Sequence, residues 1–157
     1  MLQPDRPKMP EGYGIKAANE GRMVSWSEVE RKLEEARNYW IVTASPESRP
    51  HAVPVWGIWF GGTLYFGTDT KSRSGQNLAA NHRIVVHLES GDDVVILEGR
   101  AHGLRPEEVT EELDGAYHTK YGWRLKDNPV FRLEMHTALA WAEHDFTESA
   151  TRWRFRR

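Results

Sequence analysis

A chain of 157 residues is long enough to bury one sizeable core and short for two, so a single domain is the expectation. A formal net charge of −2 excludes a chain-wide field for nucleic acid or an anionic membrane, and the lack of cysteine excludes disulfides, thiol catalysis and thiolate metal sites. No long apolar run or signal-type segment opens the sequence, so a cytoplasmic protein with neither a membrane nor a nucleic-acid partner is expected.

Residues 1–24 combine Pro and Gly with no apolar period, which predicts an extended arm lying over the domain or over a partner; residues 25–157 form the domain itself. Ser25-Trp-Ser-Glu28 has capping-box spacing, and Trp26, Val29, Leu33 and Ala36 follow on one helical face, so a helix should run to about Asn38. Tyr39 to Thr43 switches to aromatic and β-branched residues, a strand, and Pro46 to Arg49 supplies a turn.

The next segment is the most informative. His51 to Phe60, Gly61-Gly62 and Thr63 to Thr68 read as a hairpin whose first strand is apolar on both faces: Ala52, Pro54, Trp56, Ile58 and Phe60 on one, Val53, Val55 and Trp59 on the other. A strand wetted on one side would alternate with polar residues. One face should therefore meet the core and the other a second layer, supplied by another subunit, a flat ligand, or both.

Asp69 to Asn81 predicts a polar loop feeding a short helix capped by Ser72 or Ser74. Arg83 to Glu89 alternates with Ile84, Val86 and Leu88 inward, Ser90 to Asp92 turns, and Asp93 to Gly103 is another strand. Pro106 opens a second helix with Val109, Leu113 and Tyr117 on one face and Gly122 as its stop; Val130 to Ala142 and Ala150 to Phe155 are the final strands. The pattern predicts a mainly β protein, six or seven antiparallel strands in a closed barrel with flanking helices.

The seven histidines show no i, i+4 helical pair and no His-x-His strand pair, and His136 and His144 would stand roughly 25 Å apart at strand rise, so no dedicated metal site is expected. Neither a nucleophile elbow nor a Walker or dinucleotide loop is present. What remains is Lys71, Ser72, Arg73 and Ser74 ahead of a short helix, a group suited to a phosphate, next to a doubly apolar strand suited to a flat ring. A flavin carries both.

In Arg49-Pro-His-Ala-Val-Pro-Val-Trp56, Leu64 to Thr68, Ser72-Arg73, Asn77-Leu78, Asn81, Ile84 to Leu88 and Val95 to Gly99, the sequence resembles the pyridoxamine 5'-phosphate oxidase-like split β-barrel flavoproteins, which include deazaflavin-dependent reductases. The resemblance implies a split β-barrel and a homodimer holding FMN, or the deazaflavin F420, between subunits. It places the ring against Val53, Pro54, Val55 and Trp56 and against Phe66, Gly67 and Thr68. The phosphate falls near Lys71, Ser72, Arg73 and Asn77. Trp123, Arg152, Trp153 and Arg154 would close the pocket from the partner. The chain departs from the family's Ser-Arg-Lys at Ser74, and Gln76 and His82 replace a frequent basic residue and a frequent proline. The function implied is hydride transfer to or from a small organic substrate, with Tyr121, His87 and Arg152 as acid or base candidates and no residue fixed as catalytic. The alternative is a non-catalytic carrier or sensor of flavin, heme or tetrapyrrole.

Overall fold

Antiparallel pairing links every strand of the chain, which a computed structural model describes over residues 2–156. The strands are β1 (Pro4–Asp5), β2 (Tyr39–Ala44), β3 (Pro50–Val55), β4 (Gly57–Phe60), β5 (Thr63–Gly67), β6 (Arg83–His87), β7 (Asp93–Gly103), β8 (Val130–Ala142) and β9 (Thr151–Arg154). The helices are α1 (Trp26–Glu35), α2 (Arg73–Ala80), α3 (Glu111–Tyr121) and α4 (Phe146–Ser149). One path runs β1-β9-β8-β7-β6-β2-β3; β5 branches from β8 and carries β4.

The sheet is a split barrel and it is not closed, which corrects the expectation of closure, and it holds nine strands rather than six or seven. The reason lies in the doubly apolar segment. It is not one strand: after Val55 the chain leaves β2, and from Gly57 it pairs with β5 instead. Trp56 sits at the crossing, with β3 at one edge of the sheet and β4 at another.

Alternation survives the crossing. Val53, Val55 and Trp59 pack into a core that also holds Leu33, Tyr39, Ile41, Phe66, Leu97 and Trp153. On the opposite side, Trp56, Ile58 and Phe60 lie against Val109, Leu113, Tyr117 and Tyr121 of α3 and its approach. The second layer over β4 is thus a helix of the same chain, whereas Ala52 and Pro54 of β3 stay exposed.

Local signals behave as the sequence predicts. Ser25 and Glu28 form both bonds of the capping box, and Gly122 ends α3 in the left-handed region at φ 79°. Pro106 opens a 3-10 turn rather than the helix proper, which Thr110 caps. Of the two readings of the N-terminal arm, the structure has it on its own domain: Pro4 and Asp5 pair with Trp153 and Arg152, and the buried Arg6 guanidinium donates to the carbonyls of Glu148 and Ala150 at 2.7 and 2.8 Å.

Candidate functional site

The loop between β5 and α2 is built around hydrogen bonds that the short polar residues make to their own backbone. Ser72 Oγ accepts from Gly75 N–H at 3.0 Å and donates to the Asp69 carbonyl at 2.6 Å, and Asp69 Oδ1 accepts from Lys71 N–H at 2.8 Å. Thr68 Oγ1 lies 3.1 Å from Ser72 Oγ. Gly75 is required by closeness: a Cβ there would fall 2.2 Å from the Asp69 carbonyl oxygen. The helix end is thereby drawn against the loop that precedes it.

Beneath this turn the residues are spent on structure. Ser74 is buried, and buried Asn77 donates from Nδ2 to Thr43 Oγ1 at 3.0 Å, tying α2 to β2. Above it, Lys71 and Arg73 are exposed. Neither has a carboxylate partner among the described residues, unlike Arg22, Arg31, Arg105, Arg124 and Arg152. Two free cations at a helix N-terminus are what an anionic tail needs.

Strand β3 supplies an open edge, since it pairs only with β2. Proline has no N–H to give a ladder, so Pro50 and Pro54 occupy positions that turn away from β2, and alternation leaves the Ala52 N–H and carbonyl directed at that free edge. A planar heterocycle takes its hydrogen bonds from such groups.

At the crossing, Trp56 stacks on Tyr121 with ring centroids 4.6 Å apart and planes within 6°, and the Arg37 guanidinium lies 5.5 Å from both rings. A polar knot pins Gly57 behind it. Gly57 N–H donates to Tyr121 Oη at 3.1 Å, Tyr121 Oη has its single proton for the Arg37 carbonyl at 2.6 Å with the Gly57 carbonyl also near at 2.8 Å, and Lys120 Nζ donates to the Gly57 carbonyl at 3.1 Å and to Tyr39 Oη at 3.0 Å. Burial is the first cause of every shift here: it pushes Tyr121 up to about 12 and Lys120 down to about 8, with Arg37 adding to the latter, and it carries Tyr39 well above an ordinary phenol. Tyr121 is therefore a protonated structural donor at neutral pH.

Comparison with known proteins gives the family and the fold. The family model described as pyridoxamine 5'-phosphate oxidase matches residues 25–143. The chain belongs to the pyridoxamine 5'-phosphate oxidase family. No curated protein matches it. Among solved structures, it is similar to a conserved hypothetical protein from Mycobacterium tuberculosis, with 20% identity, 80% of this chain and 91% of that one covered, and a TM-score of 0.62. An F420 reductase is similar at 18% identity, 69% and 94% coverage and a TM-score of 0.57. A heme binding protein from Mycobacterium smegmatis is similar at 19% identity, 82% and 62% coverage and a TM-score of 0.56. At these identities the structures establish the fold.

The remaining residues that the family resemblance singles out are placed unequally. Phe66 is wholly buried and stacks on Phe131 at 5.6 Å, so it shapes the strand beneath Gly67 and Thr68, and the side chains of Val53 and Val55 pack on the core. Trp123, just past α3, is 65% exposed. The C-terminal residues divide: Arg154 is exposed, Arg152 binds Asp5 at 3.0 Å, and Trp153 is a core residue 1% exposed, edge-on to Trp26. Trp153 lies on the inner face of β9, where it packs in the core. His87 stacks on Trp40, its Nδ1 2.7 Å from the Leu88 carbonyl. Arg37 and Lys120 are site neighbours that the sequence does not reveal, because cations near helix ends ordinarily read as solvated dipole partners. Among the described residues no group of three or more His, Cys, Asp or Glu is arranged to hold a metal, and no helix is long and apolar enough to cross a membrane.

Proposed function

We propose that this family member is a homodimeric oxidoreductase that holds FMN, or the deazaflavin F420, and passes hydride to or from a small organic substrate. The observation that carries this reading is the pairing of two unspent cations, Lys71 and Arg73, at the Ser72-capped end of α2, in a family whose solved relatives in this fold include an F420 reductase. The bound cofactor supplies the hydride chemistry. The chain's own residues do the rest. Arg73 and Lys71 hold the phosphate, the free edge of β3 at Ala52 orients the ring, and the Tyr121–Trp56 stack fixes where that edge ends. Arg73 is a guanidinium able to hold two phosphate oxygens, which makes it the principal anchor.

The exposed outer side of β3, with Trp40 and Val42 of β2 beside it, is the face that a second copy would cover. A cytoplasmic location belongs to the same reading, and cell fractionation checks it. The rival, a non-catalytic carrier of flavin, heme or tetrapyrrole, is supported by Ser74, whose buried side chain stands where the family commonly has a lysine, and by the heme binding neighbour.

The deciding experiment expresses the chain in a host that makes both cofactors and takes the absorbance and mass spectrum of the retained small molecule, then follows electron transfer from the reduced complex. FMN or F420 retained at one per chain, with turnover of an organic acceptor, is the expected result. A retained heme, or a flavin that never turns over, favours the rival.

A further inference from the structure

Where β2 ends, β6 begins and β7 meets β8, the outer face of the sheet carries a cavity of about 580 Å³ that no residue assigned to the cofactor lines. Its apolar wall includes Val42, Ala44 and Val85, and its polar wall includes Arg83, Arg100 and Glu98. Arg83 and Arg100 are direct partners in the β6–β7 register. Like charges directly opposite on paired strands are unfavourable. Neither arginine is paired with a carboxylate among the described residues, although five other arginines are.

The third wall is made by a bulge. Glu98 pairs with Thr137 and Gly99 with Met135, so His136 is an extra residue on β8, and both His136 and Thr137 border the cavity. The bulge depends on Gly99, where a Cβ would fall 1.9 Å from the Glu134 carbonyl oxygen. Glu134 then fixes the imidazole: its Oε1 is 2.9 Å from His136 Nε2, and its Oε2 is 2.7 Å from His102 Nε2. The nearest carboxylate of β8 is thus committed to two histidines. Glu134 stands opposite Arg100 in the β7–β8 register, but its two oxygens are held by the histidines; Glu98 is the one carboxylate residue lining the cavity, and the two guanidiniums outnumber it.

We infer that this cavity is a second ligand site, for a small organic acid whose carboxylate or phosphate lies between Arg83 and Arg100 and whose apolar body rests on Val42, Ala44 and Val85. The inference does not depend on the flavin reading. The probe is 2-naphthoate, followed by its fluorescence on the full chain, with 2-naphthylmethanol as the uncharged isostere. Saturable binding of one naphthoate per chain is expected, at least tenfold tighter than the alcohol. Arg83→Gln and Arg100→Gln should each weaken it at least tenfold while Arg73→Ala leaves it unchanged, and flavin retention by Arg83→Gln should match the parent. Non-saturating binding, or equal affinity for the alcohol, overturns the inference. Because Val42 also borders the face proposed for a second copy, particle mass is measured in parallel. A halved mass for Arg83→Gln assigns the missing anion to a carboxylate of that copy and equally overturns the small-molecule site.

Discussion

The two halves of the segment from His51 to Phe60 carry the same apolar alternation and meet different surroundings. In β4 both faces are satisfied within the chain: Trp59 enters the core, and Ile58 and Phe60 lie under α3. In β3 the inward valines reach the core, but Ala52 and Pro54 look outward and are left exposed by the described residues. Apolar alternation on two faces therefore reports that two layers exist, without saying whose. Some fifty residues downstream, α3 supplies the layer for one half only, and the other half is where a second copy and a ring-shaped cofactor are proposed.

The sharpest way to break the comparison is to remove the cover that the chain provides for itself. Leu113 is 3% exposed in the α3 cluster, and Leu113→Ala should lower unfolding stability by about 2 to 5 kcal/mol, the range for a buried leucine, read from urea titration. A loss below about 1 kcal/mol would mean that α3 lies over β4 without supporting it. The matching change on the open half is Ala52→Asp. It should leave the domain folded and convert a particle of twice the chain mass, measured by light scattering, into one of single mass; an unchanged mass removes β3 from the interface.

Binding should separate the halves as well. Arg73→Ala is expected to weaken FMN or F420 by about 1.5 to 3 kcal/mol, the range for a hydrogen bond to a charged group, with no change in melting temperature because the side chain is exposed and unpaired. Equal affinity in parent and variant places the phosphate elsewhere.

The knot between the halves has its own signature in pH. Lys120 is lowered from 10.5 to about 8, chiefly by burial, so the folded state binds fewer protons than the unfolded state between those values. The cost of holding its charge is fully present below pH 8 and is relieved as pH rises, so stability should climb from about pH 8 toward 9.5. Above pH 10 the raised phenols of Tyr39 and Tyr121 act oppositely. Lys120→Met should flatten the climb in a melting series; an unchanged slope assigns it to another group.

What could be read from the sequence was local. The capping box at Ser25, the Gly122 stop and the bounds of β7 and β8 are written in residues near one another, and the structure has each where the sequence puts it, while of the two serines offered as the α2 cap it uses Ser72. What could not be read was decided at long range. The break at Trp56 exists because Gly57 finds Lys120 and Tyr121 more than sixty residues on. The bulge at His136 exists because Gly99 stands opposite, and β1 exists because β9 offers an edge. In the site, the loop around Ser72 was legible from its residue types, while the division between Arg152 and Arg154, which share a face of β9, depended on where the N-terminal arm runs.

That division makes the smallest prediction and the most discriminating one for the C-terminal strand. Arg152 and Arg154 share the outer face, and sequence alone treats them as equivalent, so that replacing both would leave stability untouched. They are not equivalent. Arg152 is largely covered and holds Asp5, fastening the N-terminal arm, whereas Arg154 is exposed without a carboxylate partner among the described residues. Arg152→Gln should cost about 1 kcal/mol or less, a fall in Tm of roughly 4 °C at most. Arg154→Gln should change nothing in Tm and affect only cofactor affinity or turnover. The Asp5 carboxyl is held below its usual value first by the Arg6 backbone N–H and then by Arg152. Its contribution is present above the unfolded value of 3.8 and is lost as pH falls through the folded one, so the gap between parent and Arg152→Gln should close in acid. A gap that persists once Asp5 is protonated in the folded state would show that Arg152 acts through packing of its stem on the arm rather than through its charge.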